Sequence, residues 1–142
     1  SEHNVPLDEV VEQRLIDDMR PFHFQIVSVW HHSLGAVKGV EAGEFSPPPA
    51  LEKDYAGLRE LVKEAQSGLA AYTPADIEGL IGRDVVFKLG DQRMPFVAED
   101  FLFTFSMPNF FFHATTTYDM LRQRGVPLGK RDFLGRMKLK SS

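Results

Sequence analysis

The stretch that decides the fold is residues 107–135, MPNFFFHATTTYDMLRQRGVPLGKRDFLG. Its first half combines an aromatic run with a single histidine, His113, and has the apolar content expected of a core helix. Gly125 ends this helix, because glycine readily adopts the left-handed conformation found at helix C-termini. The sequence therefore predicts a long last helix over about residues 98–124, with a kink at Pro108.

The composition is that of an ordinary globular domain. The chain has 142 residues, of which 43% are hydrophobic and 25% are charged, so it can bury a core of its own. We therefore predict a single domain over residues 1–142. The net charge of −4 would repel a phosphate backbone, so nucleic acid is not expected as a partner. The chain has no cysteine, which excludes thiol catalysis and thiolate metal sites.

The sequence predicts neither a membrane partner nor a secretory signal. Residues 101–118 contain no Asp, Glu, Lys or Arg, and their number is at the lower limit for crossing a bilayer. They also contain a proline, an asparagine, a histidine and several hydroxyl side chains, which favours a buried core helix over a membrane span. The first residues are polar and acidic, so a cytoplasmic location is expected.

Helical spacing recurs in two earlier segments. Apolar residues repeat every three or four positions over residues 22–40, and an amphipathic helix is predicted over residues 53–72. Thr73, Pro74 and Asp76 predict the start of a further short helix, because they supply a capping hydroxyl, a first-turn proline and an acid three residues after the cap.

A change of period predicts a β-hairpin before the last helix. Residues 84–89 are rich in β-branched and apolar side chains, and Gly90 and Asp91 are typical of a turn. Residues 93–97 can then form the second, antiparallel strand. Pro95 places the returning strand at a sheet edge, because proline cannot donate a ladder hydrogen bond. The predicted fold class is therefore mainly α with one small hairpin.

Two histidines on predicted helices are candidates for chemistry. His113 shares a helix face with Asn109 and Thr116, so a polar stripe that needs partners runs through an aromatic helix. His32 lies next to the apolar stripe of its helix and is predicted to point further inward than His31. Two imidazoles on different helices could bind a divalent metal, act in acid–base catalysis, or be satisfied core residues.

The sequence resembles an uncharacterised family in the DinB/YfiT-like superfamily of metal-dependent enzymes. The resemblance rests on PNFFFHATTTYDMLRQRGVPLGKRDFLG (residues 108–135), RLIDDMRPF (residues 14–22) and DVVFKLGDQRMPF (residues 84–96). Together these matches extend over about residues 5–135 in the order found in the family. The resemblance implies a DinB-like four-helix bundle, commonly a homodimer, with a metal-binding pocket at one end.

The resemblance also implies which residues form that pocket. A divalent metal, zinc or nickel, would be held by one histidine of the second helix and by two histidines of the last helix, four residues apart. His32 matches the first of these positions and His113 the last, whereas Asn109 occupies the third. An amide is a poorer ligand than imidazole for these metals, so metal dependence is in question.

A second departure from the resemblance concerns the start of the bundle. Proteins of this family usually begin with a long helix before the segment that the chain matches. The first helix of the bundle is therefore expected to be absent from this chain. Its absence would leave an apolar groove and favour an oligomer.

These features together predict an enzyme that acts on an apolar or aromatic small molecule in a histidine-containing pocket of the bundle. The predicted catalytic residues are His32, His113 and Asn109. The residues expected to bind the substrate are Phe105, Phe112, Thr116 and Tyr118. The alternative is a non-catalytic bundle that binds a small molecule or serves as a structural dimer.

Overall fold

The structure is a computed structural model that describes residues 6–140, and it is mainly helical. A short helix, α1 (Leu7–Glu12), precedes the first long helical rod. This rod consists of α2 (Phe22–Trp30), a π-helical segment π1 (His31–Gly35) and α3 (Ala36–Ala42), which follow one another without a break. The helical spacing of this part of the sequence is thus confirmed, with a local widening of the helix at the two adjacent histidines.

Proline and glycine set the ends of this first rod. Pro21 has extended backbone immediately before α2, where a missing N–H has no consequence for the helix. Gly43 ends α3 in the left-handed conformation, with φ of 75°. Gly39 is needed for a different reason, because a Cβ at this position would lie 2.8 Å from the ring of Phe45. The rod can therefore pack directly on the aromatic side chain that follows it.

The second long helix, α4 (Tyr55–Ala70), and the short helix α5 (Pro74–Glu78) both begin at side-chain caps. The carboxylate of Asp54 accepts a 2.8 Å hydrogen bond from the backbone of the first turn of α4. Thr73 and Asp76 form the predicted capping box, in which each side chain accepts from the backbone N–H of the other. These starts are local in origin, which explains why they are visible in the sequence.

A small sheet packs at one end of the helices. It contains β1 (Glu44–Phe45), β2 (Asp84–Leu89) and β3 (Gln92–Val97) in that order. The predicted hairpin of β2 and β3 is confirmed, and Pro95 lies on the edge strand, opposite Val86. The parallel strand β1 was not predicted, because two residues are too few to show a period.

The last helical run consists of α6 (Ala98–Asp100), a second π-helical segment π2 (Phe101–Ser106) and α7 (Met107–Gln123). The irregularity expected from Pro108 lies one turn earlier, in π2, because the proline cannot donate an N–H to the carbonyls of that turn. A short helix, α8 (Lys130–Leu134), follows. Among the described residues, no helix combines the length and the apolar character needed to cross a bilayer.

The long helices pack around α2, which contacts both α4 and α7. One core lies where these helices meet. Its buried members are Val10, Val11, Phe22, Val27, Leu58, Leu61 and Met120. A second core lies between the sheet and the two helical runs that carry the π segments. Its buried members are Ala36, Val37, Val40, Phe45, Leu80, Val85, Phe87, Ala98 and Phe101.

An apolar groove lies over α2, between α4 and α7. It has a volume of about 360 Å³, with Phe22 and Ile26 from α2, Val62 from α4 and Leu121 from α7 among its lining residues. Within residues 6–140, α4 and α7 pack mainly on α2 rather than on each other. The described helices thus leave an apolar groove open over α2.

Candidate functional site

The two predicted histidines lie side by side in the structure. The ring centroids of His32, in π1, and His113, in α7, are 6.1 Å apart, and the ring planes differ by 11°. His32 is 9% exposed, whereas His31 is half-buried, so the predicted inward direction of His32 is confirmed. His31 instead donates its Nε2–H to the carbonyl of Ser46 at 2.6 Å. The histidine pair is therefore His32 and His113, defined by contact between two helices.

The two π-helical segments are joined beside this pair. The Ser106 hydroxyl, in π2, donates a buried 2.9 Å hydrogen bond to the carbonyl of His32, in π1. In a π-helical turn the carbonyls are displaced from the regular helical donors, and π turns are frequent at functional sites. Ser106 thus supplies a donor from the opposite helix and holds the backbone of His32 against the last helical run.

Aromatic rings surround His32. Its ring centroid lies 5.5 Å from that of Phe45 and 5.7 Å from that of Phe105. Its Nδ1 is buried and has no hydrogen-bond partner among the residues that the structure describes. Burial, followed by the neighbouring His31 and His113, lowers the pKa of His32 from 6.5 to about 4. This imidazole is therefore neutral at physiological pH.

His113 has a more polar setting. Its ring lies 5.9 Å from Phe24 and 5.2 Å from Phe112, and burial lowers its pKa as well. Its Nδ1 lies 2.7 Å from Oε1 of Gln25, on α2. The amide nitrogen of Gln25 in turn donates to the carbonyl of Arg20 at 2.9 Å. A chain of two hydrogen bonds thus connects His113 to the backbone at the start of α2.

Gln25 was not among the residues predicted to form the site. It is 1% exposed, which is unusual for glutamine and requires that both ends of its amide be paired. The sequence does contain a signal, because Gln25 precedes His32 by seven residues, which places both on one helix face. That spacing shows a shared face, but only the packing of α7 shows what the face contacts.

Asn109 lies on the same face of α7 as His113, one turn earlier. Its amide nitrogen donates a 2.7 Å hydrogen bond to the carbonyl of Phe105 within the same helical run. The oxygen of the Asn109 amide is therefore the atom that it could offer to a ligand. An amide oxygen in this position can orient a polar group, but it carries no charge.

The four residues predicted to bind the substrate occupy different surroundings. Phe105 contacts the ring of His32, and Phe112, 57% exposed, contacts the ring of His113. Thr116 is buried, and its hydroxyl donates to a carbonyl of its own helix. Tyr118 packs on Phe133 of α8, with ring centroids 6.0 Å apart. The structure thus places only the two phenylalanines against the histidine pair.

Comparisons with known proteins show the family. The sequence matches the family described as Domain of unknown function (DUF1993) over residues 1–134. The chain belongs to this family. A solved structure of a DinB family member protein from Shewanella denitrificans is similar, with a TM-score of 0.73 and 23% sequence identity over 95% of this chain and 76% of that chain. The predicted DinB-like helical fold is thereby confirmed. No curated protein matches the sequence.

The residues at the histidine pair do not fit the metal site that the DinB resemblance implies. Catalytic zinc sites usually have three protein ligands drawn from histidine, cysteine and carboxylates. Within residues 6–140, no three such side chains lie close enough to hold one ion. Two imidazoles are present, and the third position has the neutral amide of Asn109. These donors are too few and too weak for a tightly held zinc or nickel ion.

One cavity of the described surface borders Phe24, whose ring contacts His113. Four cavities on the described surface have volumes of about 300 to 520 Å³, and neither His32 nor His113 lines any of these four. One of about 300 Å³ is lined by Phe24 together with Arg20 and Pro48. The ring of Phe24 therefore neighbours both this cavity and the imidazole of His113.

Proposed function

We propose that this DUF1993 chain acts on an apolar or aromatic small molecule through His32 and His113 as a pair of neutral imidazoles. The observation that supports this most directly is the pairing itself, with ring centroids 6.1 Å apart and planes nearly parallel. Two imidazoles on different helices, 81 positions apart in sequence, meet inside an aromatic surround. Such a pair can accept, hold and return a proton.

Both histidines are in the neutral form that a general base requires. His32 and His113 both have pKa values lowered mainly by burial, so both rings have a lone pair available at neutral pH. A general base must be unprotonated at the working pH, and these two satisfy that condition. Phe105 and Phe112 would supply apolar walls, and the Asn109 oxygen would orient a polar group of the substrate.

Access to the pair would be from the side of His113. This ring is half-buried, whereas His32 is 9% exposed, so a ligand would meet His113 first. Phe112, which contacts His113, is more than half exposed, and Phe24, which also contacts His113, borders a cavity. The proposed order is contact with His113, followed by contact with the inner imidazole.

Because the donor set is incomplete, we propose that this chemistry does not need a tightly bound metal. The test is elemental mass spectrometry of the purified chain, with the double variant His32→Ala/His113→Ala and the control His23→Ala, which alters a half-buried histidine of α2. We expect less than about one-tenth equivalent of zinc or nickel in all three proteins. Near-stoichiometric metal that only the double variant loses would instead support a zinc or nickel site.

Reactivity of the pair can be tested with an aromatic ester, p-nitrophenyl acetate. We expect wild-type protein to hydrolyse this probe faster than His113→Gln by about 100- to 10,000-fold, the range typical of a lost acid–base group. The control is again a substitution of His23, as His23→Gln. Equal rates in wild type and in His113→Gln would count against reactive histidines and favour the non-catalytic alternative.

A structural dimeric bundle is the second candidate, and two surfaces favour it. The apolar groove between α4 and α7 is one. The other is a stripe on the last helical run, where Phe103, Met107 and Phe111 recur every four residues and are 68%, 42% and 49% exposed. Sedimentation velocity of wild type and Phe103→Glu/Phe111→Glu would test it. A wild-type dimer that this variant converts to monomer would support the homodimer, and a monomeric wild type would contradict it.

A further inference from the structure

We infer that Gln25 is a positioning residue that fixes the tautomer of His113 and leaves Nε2 of that ring as the reacting nitrogen. This inference rests on the proposed function in one respect, since it assigns the atom through which His113 would act. The tautomer itself follows from hydrogen bonds that can be checked independently of any activity.

The orientation of the Gln25 amide follows from its first partner. The carbonyl of Arg20, 2.9 Å away, can only accept a hydrogen bond, so the glutamine must present its NH₂ group to it. The amide oxygen then lies on the side of His113, 2.7 Å from Nδ1. The reverse orientation would place the buried amide oxygen of Gln25 against the Arg20 carbonyl, a second acceptor, and leave that amide oxygen without a donor. The side chain is 1% exposed, so water is not available to replace either bond.

The tautomer of His113 follows from this orientation. An amide oxygen can only accept, so the 2.7 Å contact requires that Nδ1 of His113 carry a proton. A neutral imidazole has one N–H, and therefore Nε2 carries the lone pair. Burial favours this neutral form of His113 by lowering its pKa. In His113 the lone pair thus lies on the nitrogen farther from the backbone.

Fixing the tautomer matters because a neutral histidine whose ring nitrogens have no hydrogen-bond partner populates both tautomers, with the proton on Nδ1 or on Nε2. In metal sites and in catalytic triads, a partner on one ring nitrogen orients the ring and sets which nitrogen reacts. Gln25 occupies that position here, and it is itself held by the backbone at the start of α2. His32 has no equivalent, since its Nδ1 lacks a partner within the described residues. Of the two rings, His113 is therefore the one with a defined reactive nitrogen.

The test is the tautomer of His113 in solution, measured from long-range ¹H–¹⁵N correlations of the labelled full chain at pH 7.5. The variants are Gln25→Met, which preserves volume but removes the acceptor, and Gln25→Glu, which retains an acceptor. Gln123→Met, on the exposed end of α7, is the matched control. We expect wild type, Gln25→Glu and Gln123→Met to have the proton on Nδ1. In Gln25→Met, the main population should move to the form with the proton on Nε2.

Two spectroscopic results would overturn the inference: a wild-type His113 with its proton on Nε2, or a Gln25→Met variant with the wild-type tautomer. Should Gln25→Met fail to fold, the wild-type and Gln25→Glu spectra still decide, since loss of the Nδ1 proton in either contradicts the assignment. Hydrolysis of p-nitrophenyl acetate separates the two proposals. We expect Gln25→Met to lower kcat by about 10- to 100-fold with KM little changed. A changed tautomer with unchanged kcat would refute the reactive role of His113 while confirming that Gln25 sets its tautomer.

Discussion

His32 and His113 are the same residue type in direct ring contact, yet the regions that hold them differ. His32 is 9% exposed, lies between Phe45 and Phe105, and has no partner for Nδ1 within the described residues. His113 is half-buried, and its Nδ1 pairs with Gln25 at 2.7 Å. The inner ring is enclosed by packing, whereas a hydrogen bond orients the outer ring.

The two histidines thus illustrate two separate effects on an imidazole, one on its charge and one on its tautomer. Burial, followed by the neighbouring His31 and His113, keeps His32 neutral, because a charged ring would lose the solvation that water provides. In His113, the hydrogen-bond acceptor on Gln25 selects which ring nitrogen is protonated, an effect that burial does not have. Substitutions near His32 should therefore act mainly on stability, and substitutions near His113 mainly on reactivity.

The largest expected effect is on the aromatic walls. Phe45 is 4% exposed and packs against both His31 and His32, so Phe45→Ala should lower the free energy of unfolding by about 3–5 kcal/mol. Phe112, which contacts His113, is 57% exposed, and Phe112→Ala should cost less than about 1 kcal/mol. Urea unfolding of both variants measures the difference. Equal losses would show that the two regions are packed alike.

Acidification should affect the His32 region next most strongly. The pKa of His32 is about 4 in the folded chain, below its ordinary value of 6.5, so the unfolded chain takes up this proton first as the pH falls. The stability due to neutral His32 is thus fully present above pH 6.5 and is lost as the pH falls towards 4, by roughly 2–3 kcal/mol at pH 4.5.

The check is the free energy of unfolding at pH 7.5 and 4.5 for wild type, His32→Gln and the control His23→Gln. His32→Gln has no proton to take up at this position, so its stability should fall less on acidification than that of wild type. An equal pH dependence in wild type and His32→Gln would show that His32 is not desolvated as the structure indicates.

The hydrogen bond between the two π-helical segments should have an intermediate effect. Ser106 is 1% exposed and donates to the His32 carbonyl, so Ser106→Ala should cost about 1–2 kcal/mol. Ser67→Ala is the matched control, because the exposed Ser67 hydroxyl bonds only to carbonyls of its own helix. Thermal unfolding compares the two. A loss for Ser106→Ala no greater than that for Ser67→Ala would mean that this link does not hold His32 in place.

The smallest effect is expected on the backbone of His113. The Thr117 hydroxyl donates to the His113 carbonyl at 2.9 Å within one helix, where that carbonyl already has a helical partner. Thr117→Ala should therefore change the free energy of unfolding by no more than about 0.5 kcal/mol. A loss above about 1 kcal/mol in urea unfolding would show that the outer histidine also depends on its backbone contacts.

The helices and the hairpin could be predicted because their causes lie close together in sequence. Thr73 and Asp76, which cap the start of α5, are only three residues apart, and Pro95 allows only an edge strand. The two-residue strand β1 could not be predicted, because its place depends on pairing with β2, about 40 positions later. The π-helical segments also escaped prediction, since a helical period does not reveal one extra residue in a turn.

The candidate site was predictable in its histidines but not in its connections. Helix faces and the DinB resemblance predicted His32, His113 and Asn109, and the structure brings the two histidines together. Gln25 was missed, because a glutamine in a helix is usually exposed and its burial depends on α7. The hydroxyl of Thr116 bonds within α7, whereas Tyr118 packs on Phe133 of α8, a contact that helical spacing does not reveal.

The sequence by itself determined the mainly helical class, the ends of the helices and the hairpin, because periodicity, proline, glycine and capping act within a few residues. It also determined the family, through the resemblance of three motifs and the match over residues 1–134. Only the tertiary structure decided how the histidine pair is held. The Ser106–His32 bond joins residues 74 positions apart, and the His113–Gln25 bond joins residues 88 positions apart. Local preferences cannot specify such contacts, because they form only when the packed cores bring α2, π1 and the last helical run together.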